Sequence, residues 1–211
     1  MVPKSHPRYL SLKIRDQIVA GVKAGITSEH GLLAHGRGEA FDYMIGEKTT
    51  TQAKQQIKKA ALLLKKAKHP VISVNGNAAA LVPKELVQLS KAIPAKLEVN
   101  IFHSSKKREK AIAKHLKKHG AKEVLLPNSG KIKFIESNRK HCNKEGQQKA
   151  DVIFVPLEDG DRCEALIKMK KKVITIDLNK QSRTAKKATI TIVDNIVRAM
   201  PRLIKELKNM S

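Results

Sequence analysis

The stretch ADVIFVPLEDGDRCEALIKMKKKVITIDL (150–178) decides the fold. DVIFVP (151–156) is the unbroken apolar run of a strand buried on both faces, and the polar LEDGD segment (157–161) breaks it. Arg162 to Met169 has helical spacing, and VITIDL (173–178) is a second buried strand. Strand, helix and strand in so short a span form a βαβ unit, which lays two strands parallel and joins them by a right-handed crossover.

Working outward from this unit, the alternation continues in both directions. Downstream lie TITIV (189–193) and a terminal helix from Asn195 to about Lys208, with Asp194 as its expected cap. Upstream lie a strand at Pro70 to Val74, a helix from Ala78 to Ile93 despite Pro83, and a strand from Lys96 to Phe102. SSKKREKAIAKHLKKH (104–119) reads as a helix whose core face is Ile112 and Leu116 and whose stop is Gly120, followed by a strand at Glu123 to Leu126. Residues 127–149 are polar and basic, without a clear period. In residues 8–24, Leu10, Ile14, Ile18 and Val22 recur at helical spacing; 52–68 repeats the pattern with Ile57, Ala60, Ala61 and Leu64. Between them SEHGLLAHGRGEAFDYMIGE (28–47), with its glycines, reads as loop with short helical pieces. The expected class is α/β, Rossmann-like: a mainly parallel sheet of about six strands, helices on both faces, and a helical N-terminal segment. Residues 1–211 are expected to form a single domain, with 1–68 as the helical segment and its Gly-rich loop and 69–211 as the α/β core.

Charge raises the functional question. The chain has 211 residues and a formal charge of +24, which suggests a nucleic-acid binder. Residues 49–149 hold 23 basic side chains against 6 acidic ones, mostly opposite the apolar faces of helices, where lysines are ordinarily solvated. Two acidic stretches, 28–47 and 150–165, are out of character for a surface that follows a phosphate backbone. The lysine-rich 104–144 region has Phe134 as its one aromatic residue, so it offers no stacking platform. Two cysteines, Cys142 and Cys163, read as thiols of a reducing compartment, and no apolar run is long enough to span a membrane, so a cytoplasmic protein is expected.

Open parallel sheets bind ligands beyond the carboxyl ends of their strands. Nearly every strand here ends there in amide, carboxylate or glycine: Asn75-Gly76-Asn77, Asn100 and His103, LEDGDR (157–162), Asp177-Leu178-Asn179 with Ser182-Arg183-Thr184, and Asp194-Asn195. Each group alone is a sufficient turn or cap. Five at one edge favour a polar rim. Arg15, Arg37, Arg162 and Arg183 are arginines where the chain otherwise uses lysine, and a guanidinium grips phosphate or carboxylate with two N–H groups. Gly36 and Gly38 flank Arg37, and His35 and His103 are the histidines at the rim. Neither GxxxxGK[ST] nor GxGxxG occurs, and no HExxH or Cys/His cluster calls for a metal held by the protein.

Several long strings carry a resemblance. PKSHPRY (3–9), GITSEHGLLAHGRGEAFDYMIGE (25–47), HPVISVNGNAAALVP (69–83), LEVNIFH (97–103), ADVIFVPLEDGDRCEAL (150–166) and IDLNKQSRTAKKATITIVDNIVRAMP (176–201) resemble the archaeal 4-phosphopantoate–β-alanine ligases, or phosphopantothenate synthetases, collinearly over nearly the whole chain. The resemblance implies a Rossmann-like homodimeric enzyme of coenzyme A biosynthesis that joins 4-phosphopantoate to β-alanine, turning ATP into AMP and diphosphate through a phosphopantoyl-adenylate. It implies ATP contacts at Arg15, Arg37, Asp177, Leu178, Asn179, Arg183, Thr184, Asp194 and Asn195. KIKFIESNRKHCNKEGQQK (131–149) departs from the family's loop, of which Arg139 and Gly146 are retained.

Joining two polyanions requires that their repulsion be neutralised, so Arg37 and Mg²⁺ are expected to hold phosphate, with Glu158, Asp159 or Asp161 orienting the β-alanine amine or taking its proton. Asn75, Asn77, Asn100 and His103 are the expected substrate-binding residues. A basic nucleic-acid-binding protein and a non-catalytic nucleotide-binding regulator are the alternatives.

Overall fold

A computed structural model describes residues 2–210. The segment that decides the fold forms β5 (Val152–Pro156), α7 (Gly160–Lys168) and β6 (Lys172–Ile176), with β5 and β6 parallel and Val152 opposite Lys172. Around them lie β1 (Pro70–Val74), β2 (Lys96–Val99) and β7 (Ile190–Ile192), giving a five-stranded parallel sheet in the order β2-β1-β5-β6-β7. A short antiparallel pair, β3 (Gly130–Lys131) with β4 (His141–Cys142), stands apart.

The sheet has five strands, one fewer than the sequence suggests. The expected strand at 123–126 meets β2 through a single bridge, in which Leu125 N–H donates to Leu97 O at 2.8 Å and Val99 N–H to Leu125 O at 3.0 Å. The edge of the sheet stops there.

Alternation of side chains explains the layers. Ile72, Val74, Phe154, Ile174 and Ile176 face a core completed by α1 (Tyr9–Lys23), α3 (Thr51–Lys65), α4 (Gly76–Leu81), α5 (Pro83–Ala92), α6 (Lys106–Lys118) and α9 (Ile196–Lys208). Val71, Ile153, Val155 and Val173 face the other core, with Cys163 and Leu166 of α7 and Ile132, Ile135 and Cys142 from the 130–150 region. Burial pushes the thiols of Cys142 and Cys163 up to about 12, so both stay protonated and inert. Pro83 divides the expected 78–93 helix into α4 and α5 and takes the first position of the second, where its missing N–H is no loss.

The largest difference from expectation lies in residues 28–47. They form one continuous helix, α2 (Glu29–Met44), with Ser28 as N-cap accepting from Gly31 N–H. Glycine disfavours a helix by about 1 kcal/mol relative to alanine, and tertiary contacts outweigh that here. At Gly31 a Cβ would stand 2.3 Å from Thr27 Oγ1 and 2.5 Å from Asn77 Oδ1, so only glycine lets α2 sit this close to the β1–α4 turn. The C-terminal half of α2 is held by Asp42, whose carboxylate accepts from Asn195 Nδ2 at 2.7 Å and from Arg198 Nη1 at 3.1 Å.

The N-cap of α9 is Asn195 and not Asp194: Asn195 Oδ1 accepts from Val197 N–H. Asp194 is fully buried and binds Thr49 Oγ1 at 2.6 Å and Arg198 Nε at 2.9 Å.

Candidate functional site

The carboxyl ends of the strands open into a cavity of about 760 Å³, with the core sheet as its floor and α2 along its wall. The β1 turn supplies Asn75 to Asn77, the β2 end Ile101 to His103 with Arg108, the β5 turn Leu157 to Gly160, and the β6 turn Asp177 to Asn179. Across the cavity, α2 presents His30 and His35 from its first half and Arg37 and Gly38 beyond them.

At the β6 end, Asp177 Oδ1 accepts from Asn179 N–H at 2.9 Å and Oδ2 accepts from the Ser182 hydroxyl. Burial raises the Asp177 carboxyl above the ordinary carboxylate range, against the pull of those two donors and of the nearby Arg37 charge. Arg37 itself is exposed on α2, free of any carboxylate within ion-pair distance among the described residues. Gly36 faces open space, and a Cβ on Gly38 would lie 3.8 Å from Leu178. α8 (Arg183–Lys187) begins beside this turn, with Ser182 as N-cap. Thr184 is buried and its hydroxyl donates to Glu158 O at 2.9 Å, while Arg183 extends outward to Glu164 at 2.6 Å.

Beneath the cavity runs a buried ionic chain. The carboxylate of Glu158, its side chain fully buried, lies between Arg139 Nη1 at 2.8 Å and Arg162 Nε at 2.8 Å. Arg162, itself fully buried, continues to Gln147 at 2.9 Å and to Ser73 at 3.0 Å. Gln147 in turn donates to Glu98, a second buried carboxylate, at 2.8 Å, and burial raises the Glu98 carboxyl. Arg139 also pairs with Asp159 and donates through Nε to Asn100 Oδ1 at 3.1 Å. Two buried guanidiniums on one carboxylate leave Glu158 no free oxygen for a ligand. Asp159, with about half of its side chain exposed, is the acid at this turn that faces the cavity.

The residues singled out in the sequence therefore divide. Arg37, Asn75, Asn77, His103, Glu158, Asp159, Asp177, Leu178, Asn179, Arg183, Thr184 and Asn195 line the cavity. Arg15, Asn100, Asp161 and Asp194 do not. Arg15 holds Glu39, a cavity residue, with Nε and Nη2 each 2.8 Å from its carboxylate. Asp161 lies in the first turn of α7, where its carboxylate accepts from the adjacent Arg162 N–H at 2.8 Å. Asn100 is buried and gives its amide to Arg139 O and His141 O. Asn75 and Asn77 are also largely spent on the protein: Asn75 Nδ2 donates to Pro156 O and Leu157 O at 2.9 Å each, and Asn77 Nδ2 donates to Gly31 O at 2.8 Å. Leu157 adopts φ 60°, a strained value for a branched residue, and the Asn75 bonds hold it there.

Sequence reasoning passed over Arg108 and His30, which line the cavity, and Asp42 and Arg198, which fix its wall. Arg108 looks like one more base in a lysine-rich helix, and nothing local separates it from its neighbours.

The fold and cavity define an α/β protein with an open cavity at the carboxyl edge of a parallel sheet, the edge at which such sheets bind ligands. A chain from the structure described as "Structural Basis for the Mechanism and Regulation of Sir2 Enzymes" shares the fold at TM-score 0.50 and 12% identity, covering 75% of this chain and 100% of that one. The profile of the phosphopantothenate/pantothenate synthetase family matches residues 52–211, and the chain belongs to that family. A relative from Thermococcus kodakarensis named 4-phosphopantoate–β-alanine ligase is 52% identical over 99% of this chain and 81% of its own length. Relatives of the same name from Methanosarcina mazei and Thermococcus onnurineus are 50% and 54% identical, covering 99% and 100% of this chain and 83% and 82% of their own lengths.

Proposed function

We propose that this chain is an ATP-dependent ligase that condenses 4-phosphopantoate with β-alanine to 4'-phosphopantothenate, releasing AMP and diphosphate, in coenzyme A biosynthesis. Near-full-length identity of 50–54% to ligases of that name carries the reading. The cavity supports it: its volume suits a nucleotide with a small acid, and its polar groups converge from five loops.

ATP lies at the β6–β7 end, against Asp177 to Asn179, Arg183, Thr184 and Asn195, with its phosphates toward Arg37. The phosphopantoate carboxylate attacks the α-phosphorus, forming a carboxyl–phosphate anhydride while the bond to diphosphate breaks. Arg37 stabilises the charge that develops on the transferring and leaving oxygens. Mg²⁺ would arrive as the counter-ion of the ATP phosphates. When bound, that ion spreads charge off the diphosphate.

The neutral amine of β-alanine then attacks the anhydride carbonyl, forming the amide and expelling AMP. Asp159 is the acid best placed to take the amine proton, because Glu158 is saturated by two arginines and Asp161 lies outside the cavity. Two copies of the chain form the working enzyme.

Incubating the protein with ATP, β-alanine and 4-phosphopantoate and measuring AMP tests the activity; no AMP above the level without β-alanine and phosphopantoate refutes it. Replacing Glu158, Asp159 and Asp161 singly by their amides tests the acid. Asp159→Asn is expected to slow the aminolysis half-reaction about 10²-fold, a typical share for general base catalysis, and Asp161→Asn to leave it near wild type. Equal aminolysis rates for Asp159→Asn and wild type reject the assignment.

A further inference from the structure

Four arginines line the cavity, and their partners differ. Arg139 is neutralised by Glu158 and Asp159, and Arg183 by Glu164. Arg37 and Arg108 have no carboxylate within ion-pair distance among the described residues, so they are the guanidiniums whose charge is available to a ligand.

These two sit at opposite ends. Arg37 acts on Asp177 at the β6 side, where the nucleotide is assigned. Arg108 belongs to the first turn of α6, beside the end of β2, and its Nη1 is fixed by a 2.7 Å bond to His103 O. Its Nε is buried and has no hydrogen-bond partner. Burial lowers the Arg108 pKa, with no acid acting in the other direction. An unmatched buried donor on a charged group is unfavourable, a cost that an anionic ligand at this position would relieve. The ring of His103 packs at a tilt against that of His30 of α2, with centroids 4.3 Å apart, placing two further polar rings at the same end. His30 and Arg37 are seven residues apart on one helix, about 10 Å along its axis, so the histidine end of the cavity and the Arg37 end stand roughly the reach of a small acid apart.

We propose that Arg108, with His30 and His103, forms a phosphomonoester subsite that takes the 4-phosphate of phosphopantoate and directs its carboxylate toward the nucleotide end. This rests on the ligase reading above and adds to it the residue that separates the phosphorylated acid from its unphosphorylated form. A phosphate clamped at the β2 end leaves the other end of the same small molecule facing Arg37 and the ATP α-phosphorus.

The test is steady-state kinetics on the full chain with Arg108→Ala and Arg108→Lys, varying ATP and phosphopantoate separately and comparing phosphopantoate with pantoate. Arg108→Ala is expected to raise KM for phosphopantoate on the order of 10- to 100-fold, the scale of a charge-assisted hydrogen bond. Its KM for ATP should stay within about threefold of wild type, which also shows that the variant is folded. The preference for phosphopantoate over pantoate should fall by the same factor, and Arg108→Lys should be intermediate because it keeps the charge and loses the fork. An unchanged KM for phosphopantoate in Arg108→Ala overturns the subsite while leaving the ligase reading intact. A rise confined to KM for ATP also overturns it and assigns Arg108 to the nucleotide. A wild-type protein that forms no AMP defeats the ligase reading itself.

Discussion

At the scale of single residues, identity says less than the partner does. Arg37, Arg139, Arg162 and Arg183 share one side chain and have four different situations. Arg162 is wholly buried on Glu158, Gln147 and Ser73; Arg139 bridges Glu158, Asp159 and Asn100; Arg183 is tied to Glu164 at the surface; and Arg37 is unpaired above Asp177. The unpaired one is the proposed phosphate clamp. Arg37→Ala is expected to raise KM for ATP about tenfold and to lower kcat by about as much or more, measured as AMP formation, since the lost interaction acts on both bound and developing charge. Wild-type kinetics in that variant would remove Arg37 from the mechanism. The choice among Glu158, Asp159 and Asp161 is likewise made by neighbours, because both oxygens of Glu158 are already engaged by Arg139 and Arg162 while Asp159 reaches the cavity.

At the scale of elements, the turns after the strands work as joints as well as a rim. Asn75 caps α4 through Ala78 N–H at 2.9 Å and reaches across to the Pro156 and Leu157 carbonyls, joining the β1 and β5 turns. Asn75→Ala removes the cap and leaves two carbonyls unmatched, so it is expected to cost about 1–3 kcal/mol of stability. Urea unfolding would show this as a lower midpoint at an unchanged slope; a stable variant with a selectively raised KM for phosphopantoate would restore Asn75 to direct substrate binding. Helix α2 makes the complementary point. Its glycines read as loop because propensity is local, and its helical state is set by distant groups: Asn77 on Gly31 O at one end, and Asn195 and Arg198 on Asp42 at the other.

At the scale of the whole molecule, the helical N-terminal segment and the sheet meet in a buried polar knot. Asp42 of α2, Asp194 after β7, Arg198 of α9 and Thr49 before α3 are joined, with Arg198 between two buried acids. Removing one member of such a set strands the charges of the others, which costs about 3–5 kcal/mol. Arg198→Ala should therefore lower the unfolding free energy by that amount and loosen α2 from the cavity, raising KM for ATP although Arg198 touches no ligand. A variant as stable as wild type would show that α2 is held by its other contacts. The formal charge of +24 also takes a different meaning at this scale. Most of the excess lies in 49–149, yet the cavity is lined by arginines, histidines, amides and acids, which suit small polyanions better than a polymer.

The sequence by itself determined the alternation of strands and helices, the parallel sheet, the edge at which polar residues gather, and the family, because apolar runs, glycine stops and long collinear strings are local properties of the chain. It overstated the sheet by the strand at 123–126 and read α2 as loop with short helical pieces, since neither the single bridge at Leu125 nor the anchoring of Asp42 has a local signature. Tertiary structure alone decided which polar residues are spent on one another and which still face the cavity. Hydrogen bonds and ion pairs between residues such as Arg139 and Glu158, or Asp42 and Arg198, form only when folding brings distant positions within about 3 Å. What remains unmatched after that pairing, above all Arg37 and Arg108, is what the protein can offer to a ligand.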